Sequence, residues 1–144
     1  MGNIRVEGKK LIYQRKDELT IIEPYGMNCL RCRSTKNSKI LDENWTVLPP
    51  ATADDCHIEC DGKFATITNG AMKATIDAGQ IWYGGIITYF KKDTPVLHTR
   101  FEGDYSNRNQ HIEGDHYKIS VIFDANEGEH FYGIGQEQVD LFDR

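Results

Sequence analysis

The feature that most constrains the fold of this chain is a two-residue alternation of apolar and polar side chains, which recurs along its whole length. No stretch longer than about ten residues has the i, i+3, i+4, i+7 apolar spacing of an amphipathic helix. Successive side chains of a β-strand point to opposite faces, so the alternation predicts strands with one buried face and an all-β protein. The predicted strands are Lys10–Gln14, Glu18–Glu23, Asn28–Arg33, Cys56–Cys60, Lys63–Thr68, Ala71–Ile76, Gln80–Tyr83, Ile86–Phe90, Pro95–Thr99 and Tyr117–Phe123.

Turn-forming residues separate these strands. Asp61-Gly62 and Asn69-Gly70 are flanked by strand-like runs and predict hairpins, because both dipeptides tolerate the positive φ that a type I′ turn requires. A meander over residues 56–76 follows. Short strands at regular spacing predict an antiparallel two-sheet β-sandwich. The alternation is interrupted at Lys36–Asp54 and Gly103–Gly114, which are predicted to be irregular loops of the kind that commonly carries binding residues.

The size and charge of the chain limit the classes of function. Its 144 residues suffice for one domain with one core. No apolar run is long enough to span a membrane and no signal-peptide core follows Met1, so we expect no membrane partner and a cytoplasmic location. Residues 1–100 carry 14 basic and 12 acidic groups, whereas residues 101–144 carry 3 and 10. With a net charge of −5, nucleic acid is not an expected partner.

The four cysteines superficially resemble a zinc site, as Cys29-x-x-Cys32 and Cys56-x-x-x-Cys60. A zinc site needs a tight turn that brings both thiolates of a pair to one ion. The first pair lies in a stretch predicted to be extended, where residues three apart point to opposite faces. We therefore expect small buried or edge thiols, with structural zinc and disulfides as the less favoured alternatives.

The acidic residues do not predict a catalytic pair. Acid–base catalysis by a pair of carboxyl groups requires both groups to be held rigidly on either side of the bond that is cleaved. Glu127 and Glu129 flank a glycine, and Asp140 and Asp143 end the chain, so nothing fixes the separation of either pair. Solvated acids at a domain edge are the favoured interpretation.

The histidines and serines likewise do not predict a catalytic site. His111 and His116, in the polar loop, are the best metal-ligand candidates of five histidines, but ordinary surface histidines are favoured. No serine has the flanking glycines of a nucleophile elbow. The residues therefore predict no catalytic group, no metal site and no cofactor.

The most specific motif lies near the carboxyl end. Residues 128–136, Gly-Glu-His-Phe-Tyr-Gly-Ile-Gly-Gln, resemble the segment "E-x-F-Y-G-L-G-Q" that closes the amino-terminal domain of glycoside hydrolase family 31, with only Ile134 departing from it. Residues 28–33, Asn-Cys-Leu-Arg-Cys-Arg, resemble the family's "n-x-L-R-x-R" strand, and residues 68–74, Thr-Asn-Gly-Ala-Met-Lys-Ala, resemble its "x-t-g-x-l-k-v" hairpin. The three motifs occur in the family's order and extend the resemblance over nearly the whole chain.

The resemblance implies a galactose-mutarotase-like supersandwich. Residues 1–138 would be the amino-terminal β-sandwich domain, and residues 139–144 the start of the connection to an absent catalytic (β/α)8 barrel. Members of the family are retaining α-glycosidases that act on α-glucosides or α-xylosides, with an aspartate nucleophile and an aspartate acid/base on that barrel. A barrel alone needs about 250 residues. No residue here matches a catalytic position, so we expect this chain to be inactive by itself.

The expected role is therefore to support the barrel and to shape its sugar pocket. The expected partners are the barrel and the oligosaccharide substrate of the parent enzyme. Gln136 and Gln138 resemble the α-xylosidase-like members. A face that the barrel would cover is expected to be apolar and to promote self-association when exposed.

Two other classes of function share this fold. A free-standing carbohydrate-binding module would present solvent-exposed aromatic side chains, for which Trp45, Trp82, Tyr83 and Tyr105 are the candidates. A mutarotase would need a His and a Glu acting together on a ring oxygen, and the sequence indicates no such pair.

Overall fold

The computed structural model describes residues 2–16, 18–43, 48, 55–80, 85–100, 108–114 and 116–121, and only the backbone of residues 99–100, 108–113 and 116–121. Every regular element within these ranges is a β-strand. The strands are β1 (Asn3–Glu7), β2 (Lys10–Arg15), β3 (Glu18–Pro24), β4 (Leu30–Thr35), β5 (Cys56–Cys60), β6 (Phe64–Asn69), β7 (Met72–Asp77), β8 (Ile86–Lys91), β9 (Thr94–Arg100), β10 (Arg108–Glu113) and β11 (His116–Val121).

The strands form two larger antiparallel sheets and one hairpin. The first sheet has four strands in the order β1-β2-β3-β4, and the second has five in the order β5-β6-β7-β8-β9. Strands β10 and β11 pair with each other. Neighbours in each sheet are also neighbours in sequence, which is why two-residue hairpin loops suffice to connect several of them. The predicted antiparallel β-sandwich is confirmed.

One hydrophobic core lies between the two larger sheets. The first sheet contributes Ile4, Leu11, Tyr13 and Ile22, and the second contributes Ala65, Ile67, Ala74, Ile76 and Ile87, with Ala78 beside them. The residues of each strand that enter the core are two apart, as the alternation predicts. Burying one such aliphatic side chain contributes roughly 1.5–3 kcal/mol, so this shared core is what holds the two sheets together.

The outer face of the first sheet, which points away from the core, is also partly buried. Ile12 and Leu19 alternate with the core residues of their strands and are nevertheless buried, at 3% and 7% exposure. The outer face of the second sheet differs, because Thr66, Thr75 and Thr88 on it are half-buried.

Most predicted strands are confirmed to within two residues at either end. The sequence prediction missed β1, an edge strand in which Ile4 alone is buried. It also wrongly assigned residues 108–113 to an irregular loop. These residues form β10. Its polar sequence does not alternate, and backbone groups, which require no particular side chains, make its pairing with β11. Of the predicted strand Gln80–Tyr83, only Gln80 is among the described residues.

The predicted meander over residues 56–76 is confirmed, with a difference in its second turn. Asn69 pairs with Met72, so the loop consists of Gly70 and Ala71 rather than Asn69 and Gly70. Only Gly70 has positive φ, at 59°. One positive φ at the first loop residue is the pattern of a type II′ turn, so the type I′ prediction is wrong at this position.

Candidate functional site

Two of the segments that carry the family resemblance meet in space. The loop between β3 and β4 precedes the Leu-Arg-Cys-Arg strand, and the Asn-Gly hairpin joins β6 to β7 in the other sheet. Asn28 Oδ1 accepts a hydrogen bond from the backbone N of Ala71 at 2.7 Å. A residue of one sheet thus fixes the hairpin turn of the other.

Asn69 makes the reciprocal contacts. Its Nδ2 donates to the backbone oxygens of Gly26 at 2.8 Å and Cys29 at 2.6 Å. The side chain is 1% exposed, so it satisfies two carbonyl groups that water does not reach. We call Asn28, Asn69 and these partners the asparagine clasp.

The clasp also explains two backbone conformations. Asn28 has φ of 54° and Gly70 has φ of 59°, both in the left-handed region. Asparagine tolerates this region better than most residues, and glycine enters it without steric cost. Gly70 is required for a second reason, because a β-carbon there would collide with Asn28 Oδ1.

A cluster of charged side chains lies beside the clasp on the outer face of the first sheet. Strand pairing places Glu23 of β3 directly opposite Arg31 of β4 and Lys10 of β2 near it, while Arg33 lies two residues further along β4. Glu23 Oε1 accepts bonds from Arg31 Nε at 2.9 Å, from Arg31 Nη2 at 2.7 Å and from Arg33 Nη2 at 2.7 Å. Lys10 Nζ lies 3.6 Å from Glu23 Oε2. We call these four residues the arginine cluster.

The electrostatics of the arginine cluster favour an ionised carboxylate. Burial alone would raise the pKa of Glu23, but its hydrogen bond from Arg31 and the charges of Arg33, Arg31 and Lys10 outweigh burial, so the pKa is lowered. Arg33 Nε is buried with no hydrogen-bond partner within the described part of the chain. The cluster therefore holds a carboxylate that stays charged at neutral pH.

The segment after β4 is tied to the arginine cluster and its surroundings. Arg33 Nη1 donates to the backbone oxygen of Leu41 at 3.2 Å and lies 3.5 Å from Asp42 Oδ1. The hydroxyl of Tyr25 donates to the backbone oxygen of Leu48 at 2.9 Å. The guanidinium of Arg31 stacks on the Tyr25 ring, 4.3 Å from its centroid, which orients the phenol. These contacts bind and orient protein segments.

None of the four cysteines, all of which are among the described residues, forms a disulfide. Cys29, Cys32 and Cys60 are exposed, and Cys56 is half-buried against the core, where burial raises the pKa of its thiol. Cys32 lies on β4, and Cys56 and Cys60 lie on β5, both edge strands of their sheets. The expectation of buried or edge thiols fits these three residues, whereas Cys29 lies in the loop before β4. The described residues contain no group of three or more side chains that could hold a metal ion.

The histidines singled out by the sequence do not converge. His111 is on β10 and pairs with Lys118, and His116 is on β11 and pairs with Glu113, so the two are not opposite each other. His57 lies 3.2 Å from Glu59 in an exposed pair, and His98 contacts Thr88 Oγ1 at 3.0 Å. The two contacts lie on different strands, His57 on β5 and His98 on β9.

The other residues that the sequence pointed to as candidates lie outside the described residues. They are the acidic pairs Glu127 with Glu129 and Asp140 with Asp143, the motif of residues 128–136, and the aromatic candidates Trp45, Trp82, Tyr83 and Tyr105.

Among the described residues no helix is long and apolar enough to cross a membrane.

Sequence reasoning missed the arginine cluster and the partners of the asparagine clasp. The signal for the cluster was present, because a hairpin turn at residues 25–29 would set Glu23 opposite Arg31 and leave Arg33 on the same face. The clasp had no such signal, because it joins residues 40 or more positions apart, in the β3–β4 loop of one sheet and at the β6–β7 hairpin of the other.

The sequence matches no protein-family profile and no curated protein. Its fold is similar to part of the crystal structure of a GH31 alpha-xylosidase from a soil metagenome complexed with xylose, with a TM-score of 0.77 and 20% sequence identity. The similarity covers 97% of this chain and 23% of the α-xylosidase chain. This chain therefore spans less than a quarter of the length of the solved protein, and the likeness establishes a shared β-sandwich fold.

Proposed function

We propose that this chain is the amino-terminal, non-catalytic β-sandwich domain of a retaining α-glycosidase of glycoside hydrolase family 31. The single observation that carries the proposal is the fold similarity, which takes in almost this entire chain and a minor part of a GH31 α-xylosidase. A domain that corresponds to such a part would support the catalytic barrel and shape its sugar pocket. The reaction itself would belong to residues of the barrel.

The positions of two family-like segments support this proposal. The segment of residues 28–33 and the hairpin of residues 68–74 are distant in sequence, and the asparagine clasp bonds one to the other across the two sheets. Residues that resemble a family's motifs and also bond to each other are readily explained as one structural unit of that family's sandwich. The α-xylosidase-like form of Gln136 and Gln138 favours xylosides over glucosides as substrates of the parent.

Enzyme assay tests the absence of activity. The 144-residue chain, incubated with aryl α-xylosides and aryl α-glucosides, is expected to release no aryl alcohol above the blank. A polypeptide that continues from Arg144 into a barrel is expected to hydrolyse one of the two. Turnover by the 144-residue chain that a point substitution abolishes would contradict the proposal. So would a complete reading frame that encodes no barrel.

One observation favours a second candidate, a carbohydrate-binding module. Thr66, Thr75 and Thr88 lie directly opposite one another on adjacent strands, as a row of hydroxyl groups across the outer face of the second sheet. Phe64 is on the same face and 46% exposed. Aromatic rings and hydroxyl groups on one face of a sheet suit the apolar faces and hydroxyls of a sugar chain. Calorimetric titration with xyloglucan and malto-oligosaccharides tests it, since Phe64→Ala should abolish any binding by this face.

A further inference from the structure

Three large apolar side chains are exposed in the loop after β3 and in the segment after β4. Leu41 is 61% exposed, Leu48 is 85% exposed, and Met27, in the loop between β3 and β4, is 80% exposed. Single exposed apolar side chains are common on protein surfaces and need no explanation. These three are unusual because hydrogen bonds from other parts of the protein hold the backbone at or beside them.

The backbone at Leu41 and Leu48 is held by side chains of the first sheet. The carbonyl of Leu41 accepts from Arg33, and the carbonyl of Leu48 accepts from Tyr25. Both donors are themselves fixed, Arg33 by Glu23 and Tyr25 by the stacked Arg31. The carbonyls therefore face the sheet while the leucine side chains face solvent, in positions that do not depend on the leucines themselves. The adjoining loop that carries Met27 is anchored on either side of it by the clasp, through Gly26 and Asn28.

The charge of the same area is unbalanced. Three cations, Lys10, Arg31 and Arg33, surround the single carboxylate of Glu23. Asp42 adds a second acid, 86% exposed and 3.5 Å from Arg33, and the exposed Glu43 follows it in the chain. Because exposed acids are well hydrated, they screen only part of the excess. A surface that meets this area with acidic side chains would balance the positive charge.

We propose that Tyr25, Met27, Arg31, Leu41 and Leu48 form the surface on which a second domain of the same polypeptide docks. The facing surface of that domain would be apolar at its centre and acidic at its rim. Tyrosine and arginine anchors within an apolar surround are the composition typical of interface hot spots. The occupant follows from the fold similarity, because 97% of this chain corresponds to 23% of a chain more than four times as long. The proposal rests on the proposed function, since it presumes a longer polypeptide.

Hydroxyl-radical footprinting read by mass spectrometry tests this surface. The 144-residue chain and the polypeptide encoded by the complete reading frame are labelled side by side. Oxidation of Met27, Leu41 and Leu48 is expected to fall several-fold in the complete polypeptide. Phe64 and Val96, which are exposed on the second sheet, serve as internal controls and should be oxidised equally in both.

A matched pair of variants tests the energetics. Leu48→Glu is expected to leave thermal unfolding of the 144-residue chain unchanged, because the side chain is exposed there. In the complete polypeptide it is expected to lower the temperature at which the sandwich unfolds, because the new carboxylate would be buried without a partner against the apolar centre of the facing surface. Val96→Glu should lower neither.

The outcomes separate the two proposals. A reading frame that ends at Arg144 removes the partner and overturns both. A reading frame that encodes a second domain, combined with undiminished oxidation of all three side chains, overturns the docking surface and leaves the proposed function standing. Protection of Phe64 and Val96 instead would assign the docking to the second sheet.

Discussion

At Glu23 a single carboxylate determines how the outer face of the first sheet is organised. One of its oxygens accepts three bonds from two guanidinium groups, and each of those groups contacts a further element. Arg31 continues to Tyr25, and Arg33 continues to Leu41 and Asp42. Loss of the carboxylate charge would therefore leave mutually repelling cations that are mostly removed from water.

The first prediction concerns that charge. Glu23→Gln keeps the shape of the side chain but removes the charge, and it should lower the free energy of unfolding by about 1–3 kcal/mol, the usual cost of leaving buried hydrogen-bonding groups unsatisfied. Urea denaturation of both proteins at pH 7 measures it. The matched control is Glu59→Gln, whose exposed pair with His57 should contribute about 0.5 kcal/mol or less. Equal effects of the two substitutions would contradict the importance assigned to the cluster.

The same residue predicts the direction of a pH dependence. The pKa of Glu23 is lowered in the folded state from its ordinary value of 4.5. Its stabilising contribution is therefore complete above pH 4.5 and is lost as the pH falls through the lower folded-state pKa. The difference in unfolding free energy between the wild type and Glu23→Gln should shrink with acidification in this window. A difference that grows below pH 4.5 would contradict the assignment.

Asn69 supplies the second prediction at the scale of a residue. Asn69→Asp places a carboxylate against the carbonyls of Gly26 and Cys29, which now receive two hydrogen bonds. The substitution should lower the unfolding free energy at pH 7 by about 3 kcal/mol, and by less at lower pH, where the neutral acid can still donate one bond. Chemical denaturation at the two pH values measures this. Asn3→Asp, on an exposed position of β1, is the control and should change little.

At the scale of elements, the hairpin loops decide how the strands are joined and how the sheets are linked. Gly8 begins the loop between β1 and β2, and Gly70 begins the loop between β6 and β7. Both have φ of 59°. Their surroundings differ, because a β-carbon at Gly8 would meet nothing within 4 Å, whereas one at Gly70 would collide with Asn28 Oδ1. The two positions therefore separate backbone strain from loss of the clasp.

The third prediction uses this difference. Gly8→Ala should lower the unfolding free energy by about 1 kcal/mol, which is the cost of the left-handed conformation alone. Gly70→Ala should cost about 1–2 kcal/mol more, because the bond from Ala71 N to Asn28 is also broken. Thermal unfolding followed by circular dichroism compares them. If the two variants unfold at the same temperature, the clasp contributes nothing to stability.

The elements also show which sequence signals are reliable. Strands β6 and β7 were predictable from alternation, because half of their side chains enter the core. Strand β10 was not, because its partner supplies backbone bonds that require no particular side chains. The two-residue loop at Gly70-Ala71 was predicted one residue too early, since Asn69 is the last residue of β6 and its side chain is committed to the other sheet.

At the scale of the whole molecule, both sheets depend on one core. Ile67→Ala removes a fully buried side chain at the centre of that core and should lower the unfolding free energy by about 2–5 kcal/mol. Because the sheets share the core, both should still unfold in one transition. Calorimetry tests this, with Val96→Ala, at an exposed position, as the control that should have almost no effect. Two separate transitions in the variant would contradict the shared core.

Self-association of the 144-residue chain is a further expectation at this scale. The exposed Met27, Leu41 and Leu48 would be its natural contact, because exposed apolar side chains favour association. Sedimentation equilibrium over a range of concentrations measures it, and Leu48→Glu should weaken any association that is found. Association that Leu48→Glu leaves unchanged would exclude this surface.

The sequence by itself determined the class of secondary structure, most strand positions and the sandwich, because two-residue alternation and turn dipeptides are local and record which side chains must be buried. It also indicated which segments resemble a known family. Only the tertiary structure decided that Asn28 and Asn69 bond across the sheets, that Glu23 gathers three cations, and that Leu41 and Leu48 are held facing solvent. Each of these contacts joins groups from different strands or loops, and their distances depend on how the sheets and loops pack, which no local pattern encodes.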